Sequence, residues 1–422
     1  MRIIVIGTGL AGLTSALKLR EAGHHVDIVT KGWGGLLLSS GTLDVYGWRK
    51  DGRPISEPYA AIDELVEAEP SHPYAAIGTD AVREGVDWLR STTGLFAEGS
   101  DHNVLIPTAI GAVRPTLAVQ NTMVPALVED GKKFLVVGIR QFRDFPAAFI
   151  ADNLARTPLA KIEARSVTIS VAPRKPEADS TGTTFARAFD GTAGLDGPAT
   201  RDALVHELRA HVKDDETVLL PAILGFSPDA YAEISAELGV PVGEVPVPPP
   251  SIPGRRINDL LIQRCRDKRV DISLNAEVVG FEAEGGHVTA LKVQRAGRVT
   301  TNKVDAVVYA GGGLESGAIH RDSYGEIRER VFDLPLAFLD AEDPETTGVT
   351  GNVVVDGKDI FGSGVSVNAD MLALDGSEPA YDNLYCVGSL IGGARPWSEK
   401  SGEGIALGSA IAATRAILRK KD

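Results

Sequence analysis

The chain opens on a short apolar run at residues 2–6, the pattern of a parallel strand buried on both faces. A helical period follows to about residue 22, with Leu13, Ala16 and Leu17 on one face, and Gly23 stops it. Residues 25–30 form a second strand, so a βαβ unit starts at the first residues. After a Gly- and Ser-rich loop at 31–56, helical patterns occupy 57–68 and 79–93. An apolar strand at 133–139 begins a second alternation of strands and helices that ends near residue 245. Inside it, segment 174–199, rich in Thr, Gly, Asp and Pro, predicts a mobile loop. The run VPVPPPSIPG (245–254) predicts a stiff extended crossover, followed by a helix at 256–268. Segments near 271–274, 277–283, 287–294 and 298–301, with Gly285 and Gly286 at a turn, predict an antiparallel meander. A strand at 305–309, a strand at 383–387 and a helix at 403–419 striped with Leu407, Ile411, Thr414 and Leu418 complete the pattern.

Three glycine clusters sit at the ends of these strands. Gly7, Gly9 and Gly12 make GxGxxG between the first strand and helix, where glycines allow a tight turn, close approach of a phosphate and close helix–strand packing. The helix beginning at Leu10 and Ala11 then offers unsatisfied N–H groups to an anion. Gly311 and Gly312 end the strand at 305–309, and Gly388 and Ser389 end the strand at 383–387. Gly402, Gly404 and Ile405 start the last helix, whose first turn is expected to face a flavin or its phosphate. In this order the clusters predict an α/β fold: a Rossmann-like flavin-binding domain from 1–130 and 251–422, with an inserted α/β domain at 131–250. One part of the fingerprint is missing. The acid that meets an adenosine ribose belongs at the end of the second strand, where Thr30 stands; Asp27 comes three residues too early. Lys31 and its loop are positioned to hold a phosphate instead.

Composition narrows the setting. A chain of 422 residues is long enough for two or three domains. The formal charge of −14 disfavours nucleic acid and anionic lipid. Cys265 and Cys386 are the two cysteines, without CxxC, zinc or iron–sulfur spacing, so no metal site is expected. With no signal-like start and no apolar run near 18 residues, a cytoplasmic protein is expected, touching a membrane only through a partner.

Beyond the glycines, SSGTLDV (39–45), HPY (72–74), IGAVRPT (110–116), LPAILG (220–225) and PPPSIPGRRI (248–257), with VVGI and a following DF at 136–145, resemble the local patterns of the B subunits of anaerobic glycerol-3-phosphate dehydrogenase. The resemblance runs from residue 3 to about 415. It implies an FMN-containing protein that works with an FAD-bearing catalytic subunit and an iron–sulfur membrane-anchor subunit, which passes electrons to quinone. It also implies oxidation of glycerol 3-phosphate to dihydroxyacetone phosphate, with activity only in the complex. The absent ribose acid fits FMN, with FAD the alternative. An independent FAD-dependent oxidoreductase, or a non-catalytic assembly or electron-relay subunit, are the competing readings.

Hydride removal from an alcohol needs a base near the hydroxyl and cations for the phosphate. Arg114, Arg256 and Arg395 are the candidate phosphate clamps; His72 and His320 are the candidates for the base. Ser39, Ser40, Gly41 and Thr42 lie where a loop is expected to reach the pyrophosphate and ribityl chain.

Overall fold

Successive residues of the first strand, Arg2–Ile6, serve two different cores, which is why the run is aliphatic without alternation. Ile3 and Val5 pack with Leu13, Leu17, Val308 and Ile411 on the helical side, whereas Ile4 and Ile6 pack with Val307, Leu291 and Val293 on the other. The structure, a computed structural model, describes residues 1–97, 99, 101–174, 178–337 and 359–420.

The central sheet is wholly parallel, with strands in the order Leu384–Cys386, Ala306–Tyr309, Arg2–Ile6, His25–Val29 and Asp271–Ser273. Numbered along the chain this order is 5-4-1-2-3, the first five strands of the doubly wound order 3-2-1-4-5-6, with its switch point between the first and fourth strands. The helices Leu10–Glu21 and Gly402–Arg419 pack on one face. The antiparallel meander Ala276–Glu284, His287–Arg295 and Arg298–Lys303 covers the other. The segment expected to open that meander, near 271–274, instead extends the parallel sheet beside His25–Val29.

A second parallel sheet runs Glu163–Ile169, Lys133–Ile139, Thr217–Pro221 and Val242–Val245, with its own core around Phe134, Val136, Phe185, Phe189 and Leu219. The helix Gly182–Phe189 and the start of the helix Gly197–Arg209 lie inside the segment expected to be a mobile loop. Thr181 caps the first by accepting from the Thr184 N–H, and Asp196 caps the second by accepting from Ala199, so Thr, Asp and Pro here mark helix starts. Residues 175–177 of that segment lie outside the described residues. The crossover also shortens: Ser251 caps a helix at Ile252–Asp267, four residues earlier than expected, with Pro253 in its first turn. Among the described residues, no helix is long and apolar enough to cross a membrane.

Candidate cofactor-binding site

A cavity of about 700 Å³ opens at the carboxyl ends of the central strands, beside the switch point where such sheets bind ligands. Gly7 turns the chain there with φ +109°, and a Cβ on it would overlap the Ala310 carbonyl. A Cβ on Gly12 would overlap the Gly7 carbonyl, so both glycines serve packing beneath the cavity. Gly9 differs: nothing lies within 4 Å of the position its Cβ would take. It precedes the helix Leu10–Glu21, which has no side-chain cap, leaving the leading N–H groups for an anion. This cradle suits a nucleotide phosphate.

At one end of the cavity Thr30 lines the wall, but its hydroxyl is held by protein partners. Its hydroxyl donates to the Gly32 carbonyl (2.7 Å) and lies 3.1 Å from that of Thr8. A carboxylate reaches the same end from the meander. Glu277 lines the cavity with Lys31 and Arg330, and its Oε1 lies 2.8 Å from Lys31 Nζ and 3.5 Å from Arg330 Nη2. The acid lacking at the end of the second strand is thus offered by another element.

The other end is closed by Gly388, Ser389, Gly402, Glu403 and Ile405. The Gly388 N–H donates to Ser409 Oγ of the last helix (2.9 Å), fixing strand end to helix. Behind Glu403 lies a polar cluster. Arg114 donates through Nη1 to both oxygens of Asp44 and through Nη2 to Ser40 Oγ and Thr42 Oγ1, each at 2.8 Å. Burial would raise the Asp44 carboxyl, but Arg114, Thr116 and Thr42 together hold it below its ordinary value. Glu403 Oε2 accepts from the Asp44 N–H (3.3 Å), and among the described residues no basic side chain forms an ion pair with it. Burial, reinforced by the Asp44 charge, pushes the Glu403 carboxyl up to about 8 although Arg114 opposes the shift.

The FAD binding domain family matches residues 2–405 of this chain. The chain is 29% identical to the anaerobic glycerol-3-phosphate dehydrogenase B subunit of Pectobacterium carotovorum subsp. carotovorum, over 99% of this chain and 98% of that one. It is 30% identical to the probable B subunit of the same enzyme from Halobacterium salinarum, over 97% and 96% of the two chains. The chain belongs to the family of anaerobic glycerol-3-phosphate dehydrogenase B subunits, within the FAD-binding-domain fold. Among solved structures it is similar to 3-ketosteroid delta1-dehydrogenase from Sterolibacterium denitrificans, with 12% identity, 99% of each chain covered and a TM-score of 0.45. The family match supports the FAD alternative; FMN has no support from it.

In this B-subunit fold the cavity gathers Gly7, Gly9, Leu10, Ala11, Lys31, Ser39, Gly311, Gly312, Gly388, Ser389, Gly402 and Ile405 from the sequence candidates. Gly12, Ser40, Gly41, Thr42 and Gly404 stand behind its wall. Ser40 and Thr42 hold Arg114, while Gly41 abuts Pro253 and Gly404 abuts Tyr74 and Val45.

The phosphate clamps need correction. Arg114 is committed to Asp44 and two hydroxyls. Arg256 is 1% exposed and paired with the fully buried Glu244, outside the cavity. Arg395 is half-buried ahead of the short helix Pro396–Glu399; Pro396, its neighbour, reaches the cavity.

The two histidines also stand off. His320 is exposed on the strand Ile319–Arg321. His72 is buried and caps Pro73–Ile77: Nδ1 accepts from the Tyr74 N–H (3.2 Å), so Nε2 carries the proton and donates to Glu399 Oε2 (3.3 Å). Burial would raise the Glu399 carboxyl, but His72, the Arg395 N–H and Ser401 leave it below its usual value. Glu277 and Glu403 are the residues sequence reasoning passed over, because acids on a meander strand and in a helix's first turn read as ordinary solvated positions.

Proposed function

We propose that this chain binds FAD and is the flavoprotein subunit of a quinone-linked glycerol-3-phosphate dehydrogenase complex that oxidises glycerol 3-phosphate to dihydroxyacetone phosphate. The observation that carries this is the continuity of one cavity from the Lys31–Glu277 end, over the Gly9 cradle, to Glu403, in a chain of the B-subunit family. The Lys31–Glu277 end takes the adenosine, the leading N–H groups of Leu10–Glu21 take the pyrophosphate, and Gly388, Ser389, Gly402 and Ile405 border the flavin ring. When bound there, FAD supplies a two-electron acceptor. The chain's own part is to anchor both ends of the cofactor, exclude water beside Leu10, Tyr309 and Ile405, and present a carboxyl at Glu403. An FAD-bearing partner and an iron–sulfur membrane-anchor subunit carry the electrons onward to quinone, holding this chain at the cytoplasmic face; the naming of its relatives as B subunits supports such an assembly.

The purified chain is expected to be yellow and to release FAD on heating, one per chain, by chromatography of the extract. Quinone-linked turnover with glycerol 3-phosphate is expected only after the partner subunits are added. A colourless, folded chain that rejects FAD would assign it to assembly instead.

Glu277 gives a sharper test of cofactor choice. A hydrogen bond to a charged group contributes about 1.5–3 kcal/mol, so Glu277→Gln should weaken FAD binding roughly ten- to a hundredfold. FMN, lacking the adenosine, should bind wild type and variant alike, as read by quenching of flavin fluorescence. Equal losses for both flavins would place Glu277 outside the adenosine end.

A further inference from the structure

Resting on the reading that the cavity holds FAD and an alcohol, we propose that Glu403 is the proton acceptor of the site and takes the alcohol's hydroxyl proton during oxidation. The step balances simply. The carbinol carbon gives up its hydrogen with two electrons to the FAD, the O–H proton passes to the Glu403 carboxylate, and the carbon–oxygen double bond forms. Glu403 then returns the proton to solvent before the next turnover.

The geometry singles this residue out. Glu403 lines the cavity at the end opposite Lys31 and Glu277, in the first turn of a helix whose backbone is fixed to the strand end at Gly388. The neighbouring acids have partners of their own: Asp44 is paired with Arg114, and Glu399, in the short helix just before, accepts from the His72 N–H and the Ser401 hydroxyl. Among the described residues, Glu403 has backbone N–H partners only, its own and that of Asp44. A carboxyl so placed changes its proton without breaking an ion pair.

The charged and titratable groups facing it come from four elements. They are Asp44 on the loop after Ser40, Arg114 on the strand Val113–Thr116, Lys400 just before the last helix, and Tyr74 on Pro73–Ile77. Asp44, whose charge acts most strongly on Glu403, stays ionised against Arg114 and so resists ionisation of Glu403. Lys400 is itself lowered, by burial and by Arg114, and Tyr74 is raised by burial and by Glu399. A carboxyl titrating near 8 is matched to proton transfer at neutral pH.

The test uses the full chain loaded with FAD. Infrared difference spectra recorded against pH should show a protonated carboxyl at pH 6 that disappears with a midpoint near 8 in wild type, and no such signal in Glu403→Gln. Glutamine keeps an acceptor for the Asp44 N–H, so the loop should stay in place. In anaerobic stopped-flow, reduction by glycerol 3-phosphate should quicken through the same midpoint, because the ionised form is the base. Glu403→Gln should be roughly 10²–10⁴-fold slower and flat across that range. Glu403→Asp, the second variant, should keep the pH dependence at a reduced rate. Wild-type kinetics in Glu403→Gln, or no carboxyl titrating near 8 in wild type, overturns the proposal. A wild type that shows this carboxyl yet is never reduced by glycerol 3-phosphate, alone or with its partner subunits, overturns the substrate reading, and the base for that alcohol with it.

Discussion

Arg256→Met is expected to destabilise the chain by about 3–5 kcal/mol, because it strands a buried carboxylate. Arg256 Nη1 lies 2.6 Å from Glu244 Oε2 and Nη2 lies 3.1 Å from Oε1; the side chains are 1% and 0% exposed. Its remaining donors reach the Gly225 carbonyl and Thr122 Oγ1. One guanidinium thus joins the helix Ile252–Asp267, the strand Val242–Val245 and the loop after Thr217–Pro221. The measurement is urea denaturation followed by circular dichroism, with flavin fluorescence as a second probe. The double variant Arg256→Met with Glu244→Gln should recover much of the loss. The introduced glutamine would still accept from the Leu224 N–H, which Glu244 Oε1 now receives at 2.9 Å, and no charge would remain unpaired. A stable Arg256→Met that only raised the KM for glycerol 3-phosphate would instead restore this arginine to the substrate's phosphate.

Elements whose signals are local were legible in the sequence. The βαβ start, the strand Lys133–Ile139, the hairpins of the meander and the closing helix each carry their pattern within some twenty residues, and each stands where its pattern put it. The cradle was legible for the same reason, since Gly7, Gly9 and Gly12 act through one turn. Glu277 and Glu403 were not. Glu277 meets Lys31 from 246 residues away, and Glu403 meets Asp44 from 359, so the character of either depends on tertiary contact. Arg114 is an intermediate case. SSGTLDV and IGAVRPT were both conspicuous, but nothing in either string says that the arginine of one closes on the serine, threonine and aspartate of the other. The helix at 182–189 and the start of the one at 197–209 do not show in composition, because Thr181, Asp196 and Pro198 read as loop residues although each is a helix-starting signal.

Gly9→Leu should abolish flavin binding while leaving the fold intact, whereas Gly12→Leu should fail to fold. Both belong to the same GxGxxG, and the difference lies in what surrounds each α-carbon. Gly9 has φ −68° and ψ 176°, extended backbone that any L-residue adopts. A Cβ there meets no protein atom within 4 Å, so leucine projects into the space that the phosphate needs and costs the empty protein little. At Gly12 the added carbon would overlap the Gly7 carbonyl and lie 3.3 Å from Ala310 Cβ, forcing the first helix off the sheet on which it packs. Overpacking of this kind typically costs about 1–3 kcal/mol per small addition, and leucine at a backbone contact exceeds that range. Thermal unfolding of the flavin-free proteins separates the two effects: Gly9→Leu should melt with the flavin-free wild type, yet show no quenching of FAD or FMN fluorescence at any concentration tested. Retained FAD binding in Gly9→Leu would move the pyrophosphate away from the leading turn of Leu10–Glu21, and the proposed placement of the cofactor would fall with it.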